Sequence, residues 1–510
     1  SAELTWDLDN KQLVSITAYR DWENRIAGDL DFSGADLFYY LDDSPQVRAF
    51  ETFTQELRLQ GSWEGGSWLV GMFYTDEVFN SAFSATYGDD LDNYTRRVVD
   101  SILGGGAYDA ARGGNSFISG QGVNDKGRQE SESIAVFTQN DFDLTENLIF
   151  TFGLRYTVEE KYYEADTFNT YGLATGGNPC AAAMGSALAA TAGRIICGIS
   201  ALTAPLVNPL GDASQNYSTS RKDEEVTGTV KFAYTLPNDD LMFFNYARGF
   251  KAGGFNQTRL SIDPRDPSGD NFGFERELAD TVELGYKGYF FDRSMTFNAT
   301  VFASEFSDFQ LGQFTGVTLE TVSVDKVESR GIELESSWRA AEDIWINGAA
   351  VYTDNFYPSD SNIDEVAPII LADGTLVPRA GKRKTRAVTA TASVSYMPQL
   401  NENLRALVYF DARYAGRESA NSSLLSTFEQ DSYTVVNMRL GLMDIEETWS
   451  AEFWVRNLTK EEYTPINFDP PPVQGSLGES KFIPAAGFAG RIANFAGEPR
   501  TFGVTYRRKF

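Results

Sequence analysis

Between Tyr246 and Arg259 the chain reads Tyr-Ala-Arg-Gly-Phe-Lys-Ala-Gly-Gly-Phe-Asn-Gln-Thr-Arg. Arg248, Phe250, Lys251, Phe255, Asn256 and Arg259 bring cations, rings and an amide together in this short stretch. Such a set can hold an anionic or aromatic ligand by charge-assisted hydrogen bonds and cation–π contact. The same stretch has a second reading. Gly249, Gly253 and Gly254 can serve the backbone alone, at a strand end or a bend.

Other chemistry is scarce. The chain holds no His, which removes the commonest metal ligand, the commonest general base and the usual partner of a serine nucleophile. Cys180 and Cys197 are the only cysteines. In a non-cytosolic protein they read as one local disulfide closing a loop, worth ~3 kcal/mol on a chain-entropy model. Two cysteines without His do not make a zinc site. The acidic runs Gly88–Asp92 and Asp263–Asp270 offer oxygen ligands but lack EF-hand spacing, and read as solvated loops. Gly104–Gly113 has no strand-to-helix context for a nucleotide loop. No catalytic residue, resident metal or cofactor is expected.

Composition narrows the class. The formal charge is −29 over 510 residues, which disfavours nucleic acid as a partner because phosphate binding needs a basic surface. Mean hydropathy is −0.31, and no apolar run is long enough for a membrane-spanning helix. Aromatics nevertheless reach 14%, as the outward faces and interfacial girdles of a membrane barrel require.

The elements that must position these residues are strands. In Thr501–Phe510 the residues Phe502, Val504, Tyr506 and Phe510 alternate with Thr501, Gly503, Thr505, Arg507 and Lys509, a period of two with one apolar face. Leu404–Tyr414 does the same, with Arg405, Asp411 and Arg413 opposite the apolar residues. Charges on the second face argue for a wet lumen rather than a dry core between sheets. Seventeen such strands can be counted, joined by turns that alternate between short and long. The fold class expected is all-β: a transmembrane, antiparallel, up-and-down β-barrel in the bacterial outer membrane, occupying residues 1–510. The short Asp9-Asn10 turn is of the periplasmic kind. An odd number of strands is therefore expected before Ser1, since bacterial single-chain barrels hold an even number.

Six phrases carry a family resemblance: Phe53–Leu59 (Phe-Thr-Gln-Glu-Leu-Arg-Leu), Tyr246–Asn256, Val282–Lys287 (Val-Glu-Leu-Gly-Tyr-Lys), Val327–Glu335, Val455–Tyr463, and the ending from Pro499 to Phe510. In this order the chain resembles the barrel of a TonB-dependent outer-membrane receptor. The resemblance implies about 22 strands around an N-terminal plug domain, with the plug, the TonB box and the first strands absent from these residues. It implies TonB-dependent uptake of a scarce solute, a ferric siderophore by default, without enzymatic chemistry. Its partners would be the TonB–ExbB–ExbD complex, outer-membrane lipid and lipopolysaccharide, and a small-molecule ligand. A passive porin is the alternative. Glu283, Glu333 and Glu335 stand opposite apolar neighbours and should face the lumen, where they either contact the plug or are simply solvated.

Overall fold

The structure is a computed structural model that describes residues 1–31, 34–40, 46–114, 116–170, 196, 214–256, 273–314, 319–367, 376–383, 387–419, 429–468 and 493–509. Among these, seventeen long strands follow one another as a meander. The first six are β1 (Ala2–Leu8), β2 (Lys11–Ile26), β3 (Gln46–Trp63), β4 (Gly66–Tyr87), β5 (Gly122–Thr145) and β6 (Leu148–Thr170). Then come β7 (Ser214–Thr235), β8 (Leu241–Lys251), β9 (Glu277–Phe290), β10 (Met295–Phe314), β11 (Leu319–Ala341) and β12 (Ile344–Phe356). The last five are β13 (Val388–Tyr396), β14 (Leu404–Ala415), β15 (Tyr433–Asp444), β16 (Trp449–Arg456) and β17 (Thr501–Arg508). Each pairs antiparallel with the next, from Ala2 opposite Thr17 to Trp449 opposite Arg508. Among the described residues β1 and β17 each pair on one side only.

Side-chain alternation sorts the two faces. Val504 remains 75% exposed and Leu284 51% exposed, while Met72, Val136, Leu154, Val301 and Leu442 are exposed on the same outer surface. A water-soluble chain does not leave an apolar band of this extent uncovered, so hydrocarbon must cover it. Near the short turns the band ends in touching rings: Trp63 on Phe142 at 5.6 Å, Phe142 on Phe150 at 5.9 Å and Phe150 on Phe232 at 5.0 Å. This is an interfacial aromatic girdle. The inner face is polar, with hydrogen bonds running between strands, as from Gln60 to Gln12 and from Asn437 to Asp411.

At the long-loop end the strands outrun the expected boundaries. The alternation predicts ends at Phe79 and Tyr162, whereas β4 runs to Tyr87 and β6 to Thr170. The backbone ladder needs no apolar side chains, so it continues into water after the lipid-facing pattern has stopped. The stretch Asn80–Arg128, which reads as a Gly-rich excursion, contains the ends of two strands and a helix at Leu91–Leu103. The helix buries Leu91, Val98 and Val99 against Leu37, Phe38, Tyr87 and Phe117. Arg96 of this helix and Arg112 flank the ring of Tyr108 at 5.1 and 5.6 Å. A second buried cluster joins Leu311, Val324, Val327, Tyr357 and Ile363. Among the described residues the buried apolar clusters therefore belong to the loop end, and the barrel wall shows no cluster like the core between the sheets of a sandwich.

Candidate functional site

β8 carries the first part of the Tyr246–Arg259 stretch. Met242, Phe244 and Tyr246 are on its lipid side, and Arg248 follows on the same face because strand side chains alternate. Its guanidinium forks Asp280 at 2.9 and 2.7 Å, and the Tyr246 hydroxyl donates to the same carboxylate at 2.5 Å. Arg248 thus sits on the outside of the barrel with Nε and Nη2 engaged by Asp280. Phe250 shares that outward face. Lys251, one step on, has the parity of the inner face and is exposed.

Beyond Lys251 the chain folds inward as a strap, 252–256, tied to four strands. The Gly253 amide donates to Asp223 at 3.0 Å and its carbonyl accepts from Lys161 at 2.8 Å. Gln310 donates to the Ala252 carbonyl at 2.8 Å. Phe255 stacks on Tyr163 at 5.9 Å and 15°, and both are buried. The Asn256 side chain clamps the backbone of Thr321, accepting from its amide at 2.7 Å and donating to its carbonyl at 2.8 Å. Asp223 is itself forked by Arg221 at 2.8 Å through each oxygen, and Arg221 also reaches Glu275 at 2.8 Å. These groups lie above the lipid band, because the outward neighbours Lys222 and Glu224 are charged and pair with each other at 3.0 Å. Burial pushes the Asp223 carboxyl up, but Arg221 and the Gly253 amide outweigh it and hold it below the usual carboxylate range.

The glycines of this stretch now have a reason. A Cβ at Gly253 would run into Arg221, and one at Gly254 would meet the Phe274 ring at 2.6 Å. Of the six ligand candidates, Phe255 and Asn256 build the strap, Arg248 and Phe250 face outward, and Lys251 faces the lumen. Arg259, Cys180 and Cys197 lie outside the described residues. The contacts of Gly253 and Gly254 are conformational, and Lys251 is the exposed cation of the stretch on the lumen side.

Glu283, Glu333 and Glu335 do share the lumen side. Glu283 accepts from Asn245 at 3.0 Å and Glu335 from Asn298 at 3.5 Å, while Glu333 is exposed. Glu335 also borders a concavity of about 1100 Å³ whose far side is β14–β17. That far side brings in Arg413, Arg439 and Arg456, which were not singled out among the candidate site residues. The signal was present: each alternates with an apolar outward residue such as Tyr414, Leu440 or Val455.

A seventeen-strand meander with lipid outside, charged side chains inside and folded loops at one end defines an outer-membrane β-barrel. A family model described as TonB dependent receptor-like, beta-barrel, matches residues 1–458, and the chain belongs to that family. Among solved structures it superposes on the ferric yersiniabactin uptake receptor FyuA from Yersinia pestis with a TM-score of 0.66 at 14% identity, covering 99% of this chain and 60% of that one. It superposes on the siderophore receptor PiuA from Acinetobacter baumannii with a TM-score of 0.61 at 14% identity, covering 99% of this chain and 63% of that one. At such identities the likeness is one of fold. The pesticin receptor of Yersinia enterocolitica is 27% identical over 238 residues, 46% of this chain and 32% of that relative. The chain thus spans about three fifths of the solved receptors, and its match spans about a third of the curated relative.

Proposed function

We propose that this barrel is the wall of a receptor that takes up a scarce chelate, a ferric siderophore, across the outer membrane with energy delivered through TonB. The observation that carries the reading is the family match over residues 1–458. Support for the ligand class comes from the printed roles of FyuA and PiuA, a ferric yersiniabactin uptake receptor and a siderophore receptor. In this reading the ligand is caught at the folded-loop end, where Lys251 offers a cation at the strand end that leads into the strap. Glu283, Glu333 and Glu335 hold arginines of a lumen-filling plug, and the TonB–ExbB–ExbD complex acts through that plug. Lipid and lipopolysaccharide surround the apolar band. No bond of the ligand is made or broken, so the protein is a transporter and not an enzyme.

The passive-porin alternative has no observation in its favour. The test is accumulation of radiolabelled iron with a panel of siderophores in cells carrying or lacking tonB. Uptake that requires both this receptor and TonB is expected. Uptake that persists without TonB would overturn the active-transport reading.

A further inference from the structure

The outer wall is acidic along one group of strands and basic along another. On β4–β6 the outward positions next above Tyr74, Ile134 and Val158 are Asp76, Glu132 and Glu160, level with one another by register. On β11–β13 the last outward apolar row is Ile332, Tyr352 and Val388, all exposed. The next outward positions there are Arg330 and Asp354, paired by register and about 7 Å further along the strands. The sequence carries the same bias: residues 382–386 read Lys-Arg-Lys-Thr-Arg, in a chain of net charge −29.

A tight turn delivers Arg383 to this wall. The Lys382 amide donates to the Arg379 carbonyl at 3.0 Å, and Gly381, at φ +77°, takes the left-handed position of the turn. The turn hangs on the buried Tyr357. The Gly381 amide donates to the Tyr357 carbonyl at 2.7 Å, and the Tyr357 amide donates to the Lys382 carbonyl at 3.1 Å. Arg383 therefore falls opposite Phe356, and its Nε donates to Asp354 Oδ1 at 2.9 Å. Arg330 Nη2 donates to the other oxygen at 3.2 Å, and its guanidinium lies over the Phe356 ring, 5.1 Å from the centroid. Asp354 thus occupies one nitrogen of each arginine and orients both planes. Among the described residues their other N–H groups have no partner, and the two side chains are 64% and 45% exposed. The adjoining outward carboxylates, Glu305 and Glu328, are both turned on Lys326, at 2.8 and 3.1 Å.

We infer that Arg330 and Arg383 form a docking site on the outer wall for the phosphate of a lipid headgroup in the outer leaflet, with the exposed Lys382 adding charge beside them. Acyl chains lying on Ile332, Tyr352 and Val388 end at this height, so a phosphate carried on them meets two oriented guanidinium edges that match its oxygens. The acidic row on β4–β6 repels the same phosphate, which confines the lipid to the β11–β13 side. The inference rests on the outer-membrane reading of the apolar band and not on transport.

The experiment is native mass spectrometry of the purified full-length receptor in detergent, titrated with bis-phosphorylated lipid A. Arg330→Gln/Asp354→Asn/Arg383→Gln removes both guanidinium groups without stranding the carboxylate, and should weaken lipid A binding at least about tenfold. Arg330→Lys/Arg383→Lys keeps the charge but loses the flat forks, and should weaken binding by about threefold. Arg248→Gln, an outward arginine on β8 whose fork is already on Asp280, should leave the affinity unchanged. The unaltered receptor should bind dephosphorylated lipid A at least about tenfold more weakly, and inorganic phosphate at equal concentration should not displace the lipid. Heat-modifiable gel migration verifies that each variant remains a folded barrel. Arg383→Gln alone, at an exposed position, should cost about threefold and decides the matter should the triple variant not fold. Undiminished affinity in these variants, equal binding of dephosphorylated lipid A, or displacement by inorganic phosphate would overturn the site. Lipid A binding does not depend on TonB, so TonB-independent uptake would sink the transport reading and leave this site standing.

Discussion

Gly253 and Arg221 occupy the same space to the point that a β-carbon on the first would overlap the guanidinium of the second. Gly253→Ala must therefore push Arg221 off Asp223 and Glu275 and leave the buried Asp223 carboxylate short of its fork. The expected cost is about 1–3 kcal/mol, the range for unsatisfying a buried polar group. Gly249→Ala is the control, since its new Cβ would meet Ala279 at an ordinary 3.9 Å. Thermal unfolding in detergent should separate the two; equal midpoints would mean that the strap is not pinned as described.

Asn256 gives a sharper local readout. Asn256→Ala removes both hydrogen bonds to the Thr321 backbone. Amide exchange at the start of β11 should then accelerate by about tenfold or more. Asn256→Asp retains the acceptor for the Thr321 amide and should preserve most of the protection there. Unchanged exchange in the alanine variant would show that the strap does not anchor this strand.

Arg248 and Lys251 are expected to behave oppositely in ligand capture. Arg248 faces outward with its fork on Asp280, an exposed pair worth about 0–1 kcal/mol. Arg248→Ala should leave the KM for a radiolabelled ferric chelate within about twofold, equivalent to ~0.4 kcal/mol or less. Lys251→Ala removes a cation from the mouth and should raise KM severalfold, about 1 kcal/mol for one charge-assisted contact. A larger effect at Arg248 would place the ligand on the outer rim instead.

Tyr357 supplies a pH signature at the loop end. Burial pushes its phenol up to about 12, against the pull of Arg379. An unfolded tyrosine ionises near 10, so the folded state holds this proton more tightly. The stability gained this way is present below about pH 10 and is lost as pH climbs from there towards 12. Absorbance at 295 nm should show a late tyrosinate step in the parent protein, to which the buried Tyr40 and Tyr108 also contribute, and Tyr357→Phe should shrink it by one tyrosine. Ionisation of Tyr357 together with exposed tyrosines near pH 10 would mean that the cluster with Leu311 and Val324 is not closed.

The barrel was legible because a strand between lipid and water writes its environment into every second residue. Phe502, Val504 and Tyr506 on one face and Arg507 on the other need no partner strand to be interpreted. The outward aim of Arg248 was legible by the same rule, since Phe244 and Tyr246 fix the parity, yet its chemical type pointed to a ligand role. Strand ends such as Tyr87 and Thr170 were not legible, because above the lipid both faces are wet and the alternation disappears while the backbone ladder continues. The helix Leu91–Leu103 was hidden between glycine clusters, although Leu91, Val98 and Val99 have helical spacing.

Only the folded chain decided what the Gly253-Gly254 pair is for. Gly253 meets Asp223 across 30 residues and Asn256 meets Thr321 across 65. Local sequence sets which face a side chain takes. Which distant side chain it then meets depends on the curvature and register of the curled sheet, and only the tertiary structure supplies those.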